Sequence, residues 1–163
     1  MPLWRARELG REKIYGDKGK SYKLFPDYIR RLKTADKKSY AKMKVNQQTK
    51  RFEAVFIALG SLIHGIQYIR PFYAFDGTHI RSKYNLTLLI TVGIDGNGNV
   101  LPLAWAIVPK ENEYWWNWFC YHFRQAFDQK LDYEYITVIS DRDKGLKNAM
   151  ATIFPEFAHS MCC

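Results

Sequence analysis

From residue 71 to residue 108 the apolar positions are spaced as in strands. Residues 72–75 form a short aromatic run that ends at Asp76-Gly77. Residues 86–94 are rich in β-branched and aliphatic side chains, and residues 100–108 repeat that character. Between them Asp95-Gly96-Asn97-Gly98-Asn99 is a dense turn signal, because Gly and Asn tolerate positive φ. The pattern predicts three strands, the last two joined as a hairpin. The period then changes. Asn112 can cap a helix over residues 113–129, with Trp116, Phe119, Cys120, Phe123 and Phe127 along one side. Residues 135–140 are a short continuous apolar run suited to a buried parallel strand. A helix over residues 143–154 stops before Pro155, and residues 157–162 begin another strand.

The first third reads differently. Residues 3–13 predict a short charged helix, broken by Gly16-Asp17-Lys18-Gly19. Tyr22, Phe25, Tyr28, Ile29 and Leu32 have helical spacing, with Pro26 at a new start, and residues 33–50 are polar and loop-rich. Phe52, Val55, Phe56, Leu59, Leu62 and Ile63 follow the spacing of one buried helix face, which predicts a helix over residues 51–64 with Gly65 as a left-handed stop. The expected organisation is a basic helical N-terminal extension, residues 1–66, followed by an α/β core, residues 67–163. The core order β-β-β-α-β-α-β implies a mixed sheet with helices over its faces.

Charge sharpens that division. Residues 1–50 hold 15 Lys and Arg against 5 Asp and Glu, whereas residues 51–163 hold 10 against 11. The formal net charge of +9 therefore belongs to the extension. A basic extension beside a near-neutral core suits a polyanion such as nucleic acid, and a solvated lysine-rich surface accounts for it equally well. No apolar stretch approaches a membrane span, so no membrane partner is expected. Three cysteines, Cys120, Cys162 and Cys163, have no framework spacing and point to a reducing compartment, cytosol or nucleus.

Asp76 and Asp141 each follow a predicted strand. If the first and fourth strands of the core lie side by side and parallel, both carboxylates project at one end of neighbouring strands, about 4.8 Å apart at the backbone. Such a pair repels itself unless a proton or a divalent cation intervenes, and Mg²⁺ or Mn²⁺ would equip it for phosphoryl transfer. The alternatives are ordinary: Asp76-Gly77 is a common turn dipeptide, and Asp141 can cap the helix that follows.

The run Phe75-Asp76-Gly77-Thr78-His79-Ile80-Arg81-Ser82-Lys83-Tyr84 resembles the first catalytic block of the Mutator-like element (MULE) transposase domain. Pro102-Leu103-Ala104-Trp105-Ala106-Ile107-Val108 resembles a following strand of that domain, and Glu111-Asn112-Glu113 with Trp116, Trp118 and Phe119 resembles its next helix. Ile139-Ser140-Asp141-Arg142 with Lys144-Gly145-Leu146 is similar to its second block, and Ala158-His159-Ser160-Met161-Cys162 to the opening of its Cys-x-x-His motif. The resemblance implies an RNase H-like, DDE-type transposase that cuts and joins DNA strands with Mg²⁺ or Mn²⁺. Asp76 would be the first acid and Asp141 the second, both metal ligands. Arg81, Lys83, Arg142 and Lys144 would contact DNA phosphates. DNA is the implied partner, with a homo-oligomer also in view, no small-molecule substrate, and the nucleus as location.

One feature departs from the family pattern. The third acid, a glutamate, lies well beyond the second aspartate in the family, and this sequence ends at Cys163, 22 residues past Asp141. Glu156 is too near to take its place. The expectation is a core incomplete at its C-terminus and inactive alone, so enzymatic activity stays open. A non-catalytic, transposon-derived protein that binds DNA or other proteins is the alternative. An unrelated nuclease of the same fold would need a carboxylate on the second or third core strand, where only Asp95 in the hairpin turn occurs. His79 reads as a polar residue leaving a strand or as a group near phosphate. The tryptophans of residues 115–118 read as core packing rather than a base-stacking platform. His159 and Cys162 offer too few ligands for a structural zinc site.

Overall fold

The computed structural model describes residues 3–16, 22–80, 84–131 and 135–162. In chain order the elements are helices α1 (Leu3–Tyr15) and α2 (Phe25–Ala35), strands β1 (Tyr40–Val45) and β2 (Phe52–Ala58), a short helix α3 (Gly60–Gly65), and strands β3 (Phe72–Ile80), β4 (Leu86–Ile94) and β5 (Val100–Val108). Helix α4 (Glu113–Phe127), strand β6 (Thr137–Ser140), helix α5 (Lys144–Ile153) and strand β7 (Ala158–Met161) complete them. From β3 onward the order is the expected β-β-β-α-β-α-β.

Among the described residues the strands form one seven-stranded sheet in the order β1-β2-β5-β4-β3-β6-β7. The pairs from β1 to β3 are antiparallel, whereas β3–β6 and β6–β7 are parallel. The β4–β5 turn closes as the sequence indicates: Gly98 has φ 89°, and the Asp95 carboxylate accepts from the backbone of Asn97 and Asn99. The parallel pairs need crossovers, which α4 and α5 supply.

One face of the sheet lies under α4 and α5. Trp116, Phe119, Phe123 and Phe127 of α4 are fully buried there against Phe56, Phe75, Leu89 and Val138 of four strands. Burying each large side chain is worth roughly 1.5–3 kcal/mol, so this aromatic stripe is the principal fastening. On the opposite face Phe25, Ile29 and Leu32 of α2 pack on Val55, Ile57, Trp105 and Ile107. The chain is therefore an α/β protein with a mixed sheet and helices on both faces.

The structure corrects the reading of residues 33–64. The helix expected over residues 51–64 is strand β2 followed by the single-turn α3, and the polar stretch before it contains β1. Both faces of β2 are covered: Ala54, Phe56 and Ala58 face α4, while Val55 and Ile57 face α2. A strand buried on both sides loses its period of two, and its apolar run then fits a helical template as well. Gly65 has φ −74°, so it is not a left-handed stop. Residues 40–58 thus join the same sheet as the core, and its hydrogen bonding crosses the division placed after residue 66. Strand β3 is also longer than expected. Asp76 sits within it rather than at its end, paired with Ile90 of β4.

Candidate active site

The parallel pairing of β3 with β6 places Phe75 opposite Ser140, the last residue of β6. Asp76 and Asp141 are the next residue on each chain, one step past the last paired position of two strands that run side by side about 4.8 Å apart. Phe75, against α4, and Ser140 are both buried, and alternation turns the residues after them the other way. Both aspartates are exposed. Each has one oxygen held locally: Asp76 Oδ1 accepts from the Gly77 backbone at 2.8 Å, and Asp141 Oδ1 accepts from the Asp143 backbone at 3.0 Å. Asp141 therefore does not cap α5. That is the work of Asp143, whose Oδ1 accepts from Leu146 N at 2.8 Å.

A further carboxylate stands beside the pair. Glu111 lies in the loop between β5 and α4, half-buried, and accepts from the indole Nε1 of the fully buried Trp116 at 3.2 Å. Its carboxyl is packed onto β3 at Gly77. A β-carbon at that position would fall 2.7 Å from Glu111 Cδ and 2.9 Å from Oε2, so any larger residue there would displace the carboxyl end of the Glu111 side chain. Burial pushes the Glu111 carboxyl above its usual range, and the nearby charges of Asp143 and Asp141 push the same way. The Trp116 hydrogen bond and His79 offset part of this. The resemblance places Glu111 in the block that opens α4 and gives it no site role. Its position just past the end of β5, beside the strand that carries Asp76, is the signal for one, and reading it requires the sheet order.

The remaining candidates separate cleanly. Arg142, on the turn that carries Asp141, and Lys144, at the start of α5, are exposed. Arg81 and Lys83 lie outside the described residues. His79 is exposed with Nδ1 3.3 Å from Thr87 Oγ1, and it lines a cavity of about 300 Å³ with Asn85, Thr87, Pro109 and Lys110. Trp115 and Trp116 are buried, which assigns them to packing. His159 Nε2 is 2.8 Å from the Ser140 hydroxyl, which itself donates to the Asp141 carbonyl at 2.8 Å. Burial, and then Lys147, pull the His159 pKa down, so the imidazole serves as a neutral tie between β6 and β7.

Chemically, Asp76 and Asp141 offer hard oxygen donors from adjacent strands, the donor type that Mg²⁺ and Mn²⁺ take. Among the described residues no group of three or more His, Cys, Asp or Glu side chains is placed to share one ion. The pair thus suits a cation that keeps much of its water. Residues 72–163 match the family model described as the MULE transposase domain. Comparison with curated proteins gives no match.

Proposed function

Because the chain belongs to the MULE transposase domain family, we propose that it carries the first two acids of a DDE-type DNA strand-transfer site on an RNase H-like sheet. The observation that carries this reading is the matched placement of Asp76 and Asp141 at the β3–β6 step. In this reading the two carboxylates hold one Mg²⁺ or Mn²⁺ through oxygens not tied to the backbone. Bound there, the ion would activate an attacking oxygen and neutralise charge on a phosphodiester. Arg142 and Lys144, together with Arg81 and Lys83, hold the phosphate backbone of DNA at the mouth of the site. Self-association and a nuclear location accompany this role.

Two acids place one cation but do not by themselves position both the attacking and the leaving oxygen. The 163-residue chain is therefore expected to bind Mn²⁺ weakly and to leave supercoiled DNA intact. The test is a Mn²⁺ titration followed by electron paramagnetic resonance, paired with a nicking assay. Asp76→Asn and Asp141→Asn should each weaken Mn²⁺ binding by about tenfold or more, in line with the loss of one carboxylate from a hard-cation site. Wild-type affinity in both variants would overturn the shared site. Nicking abolished by both substitutions would show that two acids suffice. A second reading, a non-catalytic DNA-binding protein, is favoured by the excess of basic residues in positions 1–50. It predicts DNA binding that is indifferent to Mn²⁺ and to both substitutions.

A further inference from the structure

The two blocks that carry Asp76 and Asp141 each contain a glycine pressed against the same loop. Gly77 faces the Glu111 carboxyl. Gly145, in the first turn of α5, faces the backbone of the next two residues: a β-carbon there would fall 2.5 Å from Glu113 N and 2.9 Å from the Asn112 carbonyl carbon. The loop is anchored further on both sides. Asn148 Nδ2 donates to Glu113 Oε2 at 2.7 Å, Asn112 Oδ1 accepts from Trp115 N at 3.0 Å, and Trp116 holds Glu111 from the core. The segment of residues 111–113 thus lies between the strand that bears Asp76 and helix α5, which follows Asp141.

We propose that Glu111 is a positioning residue of this site, a wedge that sets the spacing of Asp76 and Asp141 for a shared divalent cation by seating its carboxyl on β3 at Gly77. The inference rests on the cation-site reading above. The wedge takes its direction from what surrounds it. The rigid indole of Trp116 fixes Glu111 from behind, Gly77 receives it in front, and the next peptide along, between Asn112 and Glu113, abuts Gly145. An added methyl group at Gly77 would push on the Glu111 carboxyl, and one at Gly145 on the backbone of Asn112 and Glu113, so both act on the loop that lies between the two aspartate blocks. The function of Glu111 in this arrangement is shape and hydrogen-bond acceptance, so an amide of the same length should replace it.

The experiment measures Mn²⁺ binding to the whole 163-residue chain by electron paramagnetic resonance, with thermal melting of every variant alongside. Glu111→Ala should raise the Mn²⁺ dissociation constant by about tenfold, the scale seen when groups supporting metal ligands are removed. Glu111→Gln should restore binding to within about threefold of wild type, by the same scale. Gly77→Ala should weaken binding in the wild-type background and have little effect in the Glu111→Ala background, where the methyl group has room. If Glu111→Ala melts below the assay temperature, Glu111→Asp, one methylene too short to reach Gly77, takes its place. Wild-type Mn²⁺ affinity in Glu111→Ala, failure of Glu111→Gln to restore binding, or equal weakening by Gly77→Ala in both backgrounds would overturn the wedge. If the wild-type chain binds no Mn²⁺, or Asp76→Asn binds as well as wild type, the cation-site reading itself fails and the wedge falls with it.

Discussion

At the scale of single residues, His122 shows how burial acts without any catalytic role. It lies on α4, with Nδ1 2.8 Å from the Tyr40 hydroxyl and its ring against Phe56 and Trp118. Burial, assisted by Lys42, lowers its pKa from 6.5 to about 4. The folded protein therefore binds this proton less readily than the unfolded chain. The associated stability is complete above pH 6.5, declines as pH falls below that value, and is gone by about pH 4. The loss amounts to roughly 2 kcal/mol once screening of the half-buried ring is allowed for. Urea denaturation at pH 7.5 and pH 4.5 should show it, and His122→Gln should flatten this part of the profile; an unchanged slope in the variant would assign the effect to other groups. Asp76 and Asp141 were legible as residues because an aspartate that follows a short apolar run can be read from the chain, even though β3 continues past Asp76. Glu111 was not, because its importance lies in what it touches, 34 residues away at Gly77.

At the scale of elements, α5 and β2 invert ordinary expectations. Replacing a helical glycine by alanine normally stabilises by about 1 kcal/mol. Gly145 should do the reverse, because the added carbon meets the backbone of Glu113 rather than a side chain that can move. Gly145→Ala is expected to lower stability by about 1–3 kcal/mol, the range for overpacking, and a raised melting temperature would contradict the close approach. In β2, Phe56 is fully buried between strands and helix α4. Phe56→Ala should cost about 3–5 kcal/mol. Cα and Cβ chemical shifts would separate the two readings of this segment: residues 55–57, paired with both β1 and β5, should show strand rather than helix shifts. The helical reading of residues 51–64 failed because an apolar run with both faces covered has no polar phase to reveal its period.

At the scale of the whole molecule, charge and fold divide at different places. The basic excess runs through residue 50, but β1 and β2 belong to the sheet, so removing residues 1–50 would open the sheet edge as well as remove charge. The sound test of DNA binding leaves the sheet whole and changes α1. Its exposed Arg5, Arg7 and Lys13, all replaced by Gln, should make affinity less salt-sensitive. The slope of log affinity against log salt should fall by up to about 0.9 for each phosphate left without its cationic side chain. An unchanged slope would make α1 a solvated surface. Among the described residues no helix is long and apolar enough to cross a membrane.

The sequence by itself determined the elements whose local signals agree. The Asp95–Asn99 turn, the aromatic stripe of α4, the Asn112 cap and the order of strands and helices from residue 72 onward all rest on short-range chemistry. So does the resemblance of the two aspartate blocks to a transposase domain. Tertiary structure decided what depends on neighbours distant in the chain. It made residues 52–58 a strand, because β1, β5 and two helices cover both its sides. It carried β3 through Asp76, because β4 pairs with it there. It also brought Glu111 onto Gly77 and Glu113 onto Gly145, close approaches between segments whose separation along the chain carries no signal of their meeting in space.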